Sequence, residues 1–274
     1  MDSGSVVTSQ AEVPAISLWL WRFFGYCARF YLYRSFHAVR LSRTGRCPVE
    51  PGTPVVVFCN HPSWWDPLVM ILLAQRLMPE RRHYGPMDAE ALSRYRFFRH
   101  LGCFGVTPGT RCGAATFLRV SQAILQQSWN VLWVTPEGRF SDPRQRPVQL
   151  QSGLGALARR LDGVVFVPLA IEYVFWQERY PEILLRFGEP IWVSSASACA
   201  RQAYTEQLAQ RLQVTQDALA REACRRDPAA FETLLRGRVG IGGIYDAWRA
   251  LRAYWRGGGE NNKAFRRTHG AETG

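Results

Sequence analysis

Short β-branched, apolar runs alternate with stretches of helical spacing through the middle of this sequence, and no other feature narrows the possible folds as far. Val55 to Cys59 is one such run, after the turn signal Glu50-Pro51-Gly52, and Pro67 to Leu77 then reads as a helix. Arg82 to Tyr84 reads as a short strand, and Ala89 to His100 and Gly113 to Gln127 as helices, the second carrying Phe117, Val120 and Ile124 at helical spacing. The strand Val131 to Val134, a helix over Ser152 to Leu161 and the strand Val164 to Ile171 follow; Ile183 to Phe187 is expected to close the sheet, and helices to run from Ala200 to Arg225. Such alternation implies a single α/β domain with a mostly parallel central sheet flanked by helices, and a site at the carboxyl ends of the strands. The expected division is an interfacial helix over 13–42, the α/β domain over 43–226, a helical extension over 227–256 and a disordered tail over 257–274. The glycine-rich segment Gly237 to Gly243 reads as a break before the last helix.

Both ends invite an amphipathic reading. A membrane-spanning helix needs about 20 predominantly apolar residues, and the best stretch, Val13 to Tyr33, is interrupted by Arg22 and Arg29. Wound as a helix, it places Arg22, Tyr26, Arg29 and Tyr33 on one face and Leu20, Phe24, Cys27 and Tyr31 on the other, with Trp19 and Trp21 at the flanks. That pattern suits either a helix lying among lipid headgroups or one packed on the domain. Near the other end, Arg249, Arg252 and Arg256 fall opposite Ile244, Leu251 and Trp255. The start of the chain carries Asp2 and Glu12 and no positive n-region, so no secretory signal is expected.

The formal net charge is +12, and of the 34 lysines and arginines all but Lys263 are arginine, a planar fork suited to phosphate or carboxylate oxygens. At 47% hydrophobic and 20% charged residues the chain is far from the disorder regime, so the excess charge sits on a folded body and points to an anionic partner. Nucleic acid is not the expected partner, because the arginines are dispersed or merely paired and no binding motif or zinc spacing is present. Seven cysteines, an odd number without a C-x-x-C pair, indicate buried free thiols in a reducing compartment and no zinc site.

Two strings carry chemistry. Directly after the first strand comes Asn60-His61-Pro62-Ser63-Trp64-Trp65-Asp66-Pro67. His61 suits a general base near neutral pH, and Asp66, five residues on, is able to turn back and hold the imidazole tautomer. Equally, Asp66-Pro67 reads as the cap and first residue of a helix. After another strand comes Thr135-Pro136-Glu137-Gly138-Arg139-Phe140-Ser141-Asp142, in which Arg139 and Ser141 offer a charged fork and a hydroxyl to an oxyanion. Alone, this string is also what a polar loop looks like. Trp64 and Trp65 suit either the lining of an entrance or packing.

Taken together and in order, these strings resemble the glycerolipid acyltransferase family, whose best-known members are the 1-acylglycerol-3-phosphate acyltransferases. His61 and Asp66 match its H-x-x-x-x-D block with the preceding Asn60; Glu137, Gly138 and Ser141 match its E-G-x-x-S block; Val167-Pro168 matches its Val-Pro strand. The resemblance covers roughly residues 40 to 195. It implies acyl transfer from a thioester, acyl-CoA or acyl carrier protein, to a lipid hydroxyl, such as that of lysophosphatidic acid or another lyso-lipid in phospholipid synthesis. It further implies His61 as the base, Asp66 as its orienting partner, and no covalent acyl-enzyme, metal or cofactor. Asn60, Glu137, Gly138, Arg139, Ser141 and Arg111 are the expected substrate-binding residues, and the cytoplasmic side of a membrane the expected place. No G-x-S-x-G nucleophile pattern competes with this reading.

The chain departs from the family pattern where relatives grip a phosphate. Leu101 to Val106 is followed by Thr107-Pro108 and the next arginine is Arg111; Gln151 stands where a lysine is usual; and Arg139 follows Gly138 directly. Arg111, Arg139, Arg144 and Arg146 are candidate replacements. The departures favour an acceptor that need not be a phosphate monoester, such as an amino-acid lipid, a glycolipid or another membrane-lipid hydroxyl. A non-catalytic lipid-binding homologue is the remaining alternative.

Overall fold

The central strand is apolar at every position: Val55, Val56, Val57, Phe58 and Cys59 are all completely buried, which requires cover on both faces. The computed structural model describes residues 12–48, 52–194 and 200–239. In chain order the elements are α1 (Leu18–Ser35), β1 (Ala38–Ser42), β2 (Val55–Cys59), α2 (Asp66–Leu77), β3 (Arg82–Asp88), α3 (Ala89–Arg94), a 3-10 turn (Arg96–Leu101) and β4 (Cys103–Val106). They continue with α4 (Arg111–Leu125), β5 (Asn130–Val134), α5 (Ser152–Ala158), β6 (Val164–Val174), β7 (Glu182–Phe187), β8 (Ile191–Val193), α6 (Arg201–Arg225), a 3-10 turn (Pro228–Ala230) and β9 (Phe231–Arg236).

The nine strands form one mostly parallel sheet in the order β4-β3-β5-β2-β6-β7-β1-β9, with β8 pairing β6 beside β7. β2 lies parallel between β5 and β6, with Val57 level with Trp133 on one side and Val167 on the other. Side chains alternate between faces along these strands. Val56, Phe58, Leu132 and Phe166 pack against Phe117, Ile124, Leu154, Leu157, Leu208 and Leu212 of α4, α5 and α6. Val55, Val57, Val131 and Val167 pack against Leu32, Val69, Leu72 and Leu73 of α1 and α2. Truncating a core leucine such as Leu73 to alanine is worth about 2–5 kcal/mol, so this two-sided core holds the strand ends in place.

Several expected boundaries are corrected. The segment 13–42 is not all helix: α1 ends at Ser35 and β1 joins the sheet, its Arg40 paired with the buried Glu182. Ile183 to Phe187 does not close the sheet, because β1 and β9 lie beyond β7. Within 227–256, the described part is a 3-10 turn and the strand β9, not helix. The expected helix Ala89 to His100 breaks at Tyr95: Ser93 Oγ bonds the Glu90 carbonyl at 2.7 Å, and the following turn carries Phe97 and Phe98 onto Phe24 of α1. The helical region from Ala200 is one helix, α6.

α1 also sorts its faces differently from the sequence reading. Its buried residues are Gly25, Ala28 and Leu32, while Tyr31, expected opposite the arginines, is exposed together with Trp19, Phe23, Tyr26, Phe30 and Tyr33. Of the cysteines only Cys59 is buried among those described; Cys112 and Cys224 are exposed. The helix expected around Arg249, Arg252 and Arg256, most of the Gly237 to Gly243 segment, the tail and Cys199 lie outside the described residues. No helix among the described residues is long and apolar enough to cross a membrane.

Candidate active site

The carboxyl ends of three adjacent parallel strands, β5, β2 and β6, build the site. β2 delivers Asn60 and His61 into a short loop that ends where α2 begins at Asp66. The two readings of Asp66 now separate. Its side chain makes no capping bond to the helix; instead Oδ2 accepts from His61 Nδ1 at 2.6 Å and from the Ser63 backbone N–H at 3.0 Å. Pro67, favoured in the first turn because it has no N–H to leave unpaired, starts the helix.

Asp66 is completely buried, whereas the His61 side chain is 20% exposed. A carboxylate only accepts, so Nδ1 donates and the lone pair of Nε2 is left for another partner. Among the described residues the imidazole hydrogen-bonds only to Asp66, and the exposed Phe140 ring lies tilted beside it, 4.4 Å between centroids. Asp66 Oδ1 accepts from the Tyr173 hydroxyl at 2.6 Å. Burial first, and then the negative charge of Asp66, push the Tyr173 phenol far above its ordinary range, so it remains a proton donor.

The second string closes over the first. Gly138 turns with φ of 68°, a left-handed conformation that favours glycine, and a Cβ there would approach the Gln151 side chain to 3.2 Å. Ser141 N–H donates to the His61 carbonyl at 3.0 Å. Glu137, nearly buried, accepts through Oε2 from the His61 backbone N–H at 3.3 Å and from Ser141 Oγ. The Glu137 to Ser141 turn therefore fixes the backbone on either side of the imidazole.

Asn60 requires a correction. Expected to bind substrate, it is completely buried, and both ends of its amide are taken by the Ile171 backbone, N–H to Oδ1 and Nδ2 to the carbonyl, each at 2.9 Å. It is a clamp between β2 and β6. Cys59 is equally inert: burial first, then Asp66 and Glu137, drive its thiol well above the usual range, so it stays protonated.

The four arginines fall into two pairs. Arg144 is bound to Asp142 at 2.7 Å, and Arg146 to Asp217 at 2.6 Å. Arg139 and Arg111 are exposed and have no ion pair among the described residues. Arg139 follows Gly138, against which Gln151 lies; Arg111 is the first residue of α4, which follows the edge strand β4. Trp65 packs edge-on to Phe36, at 5.0 Å, while Trp64 is exposed and stacks on Trp65, 4.2 Å between centroids. No group of three or more His, Cys, Asp or Glu among the described residues is placed to hold a metal ion.

Sequence reasoning missed Tyr173. It sits two residues beyond Ile171 at the end of β6, and only the pairing of β6 with β2 brings it to Asp66. A family model described as Acyltransferase matches residues 40–172, a stretch that starts within β1, ends within β6 and holds both strings. No curated protein matches the chain.

Proposed function

For a chain that belongs to the acyltransferase family through residues 40–172, we propose transfer of a fatty acyl group from a thioester, acyl-CoA or acyl carrier protein, to the hydroxyl of a lyso-lipid at a membrane surface. As a member of that family it is an enzyme that moves acyl groups; the donor, acceptor and surface are our reading. The observation that carries the mechanism is the 2.6 Å bond from His61 Nδ1 to a fully buried Asp66, on an imidazole whose other nitrogen is free.

Nε2 removes the proton from the acceptor hydroxyl as its oxygen attacks the thioester carbonyl; the imidazolium, stabilised by Asp66, returns the proton to the departing thiolate. The acceptor becomes an ester and the donor a free thiol, with no acyl-enzyme between them. In keeping with this, Cys59 is a buried, protonated thiol, and Ser141 is turned to Glu137. Arg139, exposed beside the turn and without an ion pair among the described residues, is the cation we assign to the anionic part of a substrate. Supporting a lipid surface, α1 exposes Trp19, Phe23, Tyr26 and Phe30 together with Arg22 and Arg29, an aromatic and cationic face suited to headgroups on the cytoplasmic side of a membrane.

Lysophosphatidic acid or another lyso-lipid is the first acceptor to test. The same chemistry on an acceptor without a phosphate monoester is favoured by one observation: Arg144 and Arg146 are neutralised by Asp142 and Asp217, and Gln151 is uncharged. Purified protein supplied with acyl-CoA or acyl carrier protein donors and a panel of phosphate-bearing, zwitterionic and neutral acceptors tests both readings. Acylation of at least one lyso-lipid is expected. Thioester hydrolysis without transfer to any of them would contradict the proposal.

A further inference from the structure

We propose that Tyr173 is a positioning residue for this reaction: its hydroxyl holds the Asp66 carboxylate in the plane that presents Oδ2 to His61, and so fixes the tautomer that leaves Nε2 unprotonated. The inference rests on the reading of His61 as the base. Tyr173 lies just past the stretch matched by the family model, 107 residues from Asp66 in sequence.

The geometry carries the argument. Asp66 is completely buried, so water does not replace a missing donor. Its two oxygens are engaged unequally: Oδ2 takes the His61 Nδ1 and Ser63 N–H donors, and Oδ1 takes the Tyr173 hydroxyl at 2.6 Å. Rotation about the bond to a carboxylate is soft, with a broad range of angles. Donors on one oxygen alone leave the group free to turn and share His61 between both oxygens; a third donor on the opposite oxygen opposes that turn. Tyr173 is itself held on two sides. Its backbone is level with Ile183 in the β6-β7 ladder, and its ring packs against Phe36, 5.7 Å between centroids, which in turn meets Trp65. The hydroxyl therefore reaches Asp66 from the end of β6.

The test is Tyr173→Phe, which keeps the ring and removes only the donor. In protein labelled with 15N-histidine, the His61 ring signals, assigned by their loss in His61→Ala, report the tautomer without any substrate. The wild-type protein should show Nδ1–H alone at a pH where the ring is neutral, and Tyr173→Phe a mixture of tautomers. In turnover, kcat should fall about 10- to 100-fold, the loss of one hydrogen bond to a charged group, with KM for donor and acceptor changed less than about twofold. Phe36→Leu, which loosens the packing and keeps the hydroxyl, serves as the control for a purely structural effect and should retain the wild-type tautomer. An unchanged tautomer in Tyr173→Phe overturns the inference, whatever happens to kcat; so does an effect confined to KM, which would make Tyr173 a substrate contact. Because the tautomer is read in free protein, a wild-type enzyme inactive toward every acceptor would count against the proposed function and leave this assignment to be decided by the spectrum.

Discussion

The loop after β2 and the loop after β5 meet at His61, yet they are built on opposite terms. In the first, nearly every polar group has a fixed partner: Asp66 takes three donors, and Asn60 is consumed by the Ile171 backbone. In the second, Glu137 and Ser141 are tied to the His61 backbone, but beyond them Arg139 and Phe140 project into solvent. The contrast separates reaction from recognition. A proton-transfer centre gains from donors and acceptors that need not reorganise during the reaction. A site for a lipid headgroup needs groups that remain unpaired until the ligand arrives, and of the two loops it is the second that offers a cation without an ion pair among the described residues, Arg139.

This division can be broken by substitution. Asp66→Asn keeps the shape of the first loop but presents His61 with an amide that also donates, so kcat should fall roughly 10²- to 10⁴-fold with circular dichroism unchanged. Asn60→Ala should act on the fold rather than on recognition: with both Ile171 backbone groups left unpaired in the core, stability should drop by on the order of 3 kcal/mol in a denaturant titration. An Asn60→Ala protein of wild-type stability and raised KM would return Asn60 to the substrate. On the second loop, Arg139→Ala should raise KM for a charged substrate about tenfold, the scale of one charge-assisted contact, while Arg144→Ala, whose cation is already bound to Asp142, should change it less than about twofold. Equal effects of the two would dissolve the distinction between paired and unpaired cations. The smallest effect belongs to α1: replacing the exposed Trp19 and Phe23 by serine should weaken sedimentation with anionic vesicles several-fold and leave turnover of dispersed, short-chain substrates intact.

What was legible in the sequence follows the same division. The parallel sheet announced itself because β2, β5 and β6 are buried on both faces and read as unbroken apolar runs. β1 and β9 did not, because Arg40, Glu232 and Thr233 interrupt them and their place depends on partners far along the chain, Glu182 above all. His61 and Asp66 were legible as a local pair on one loop. Tyr173, and the clamp from Asn60 to Ile171, are products of strand pairing across more than 100 residues, visible only once β6 lies beside β2. The loss of Arg144 and Arg146 to Asp142 and Asp217 has the same origin in part: the first pair is local, but Asp217 comes from α6.

Whether His61 is the base for direct transfer is decided by comparing wild type with His61→Ala in thioester-dependent acylation of a lyso-lipid, followed by mass spectrometry of the product. In His61→Ala, acylation should fall about a thousandfold or more, to the background rate, with the circular dichroism spectrum and melting temperature unaltered. Acylation by His61→Ala within several-fold of wild type would contradict that role.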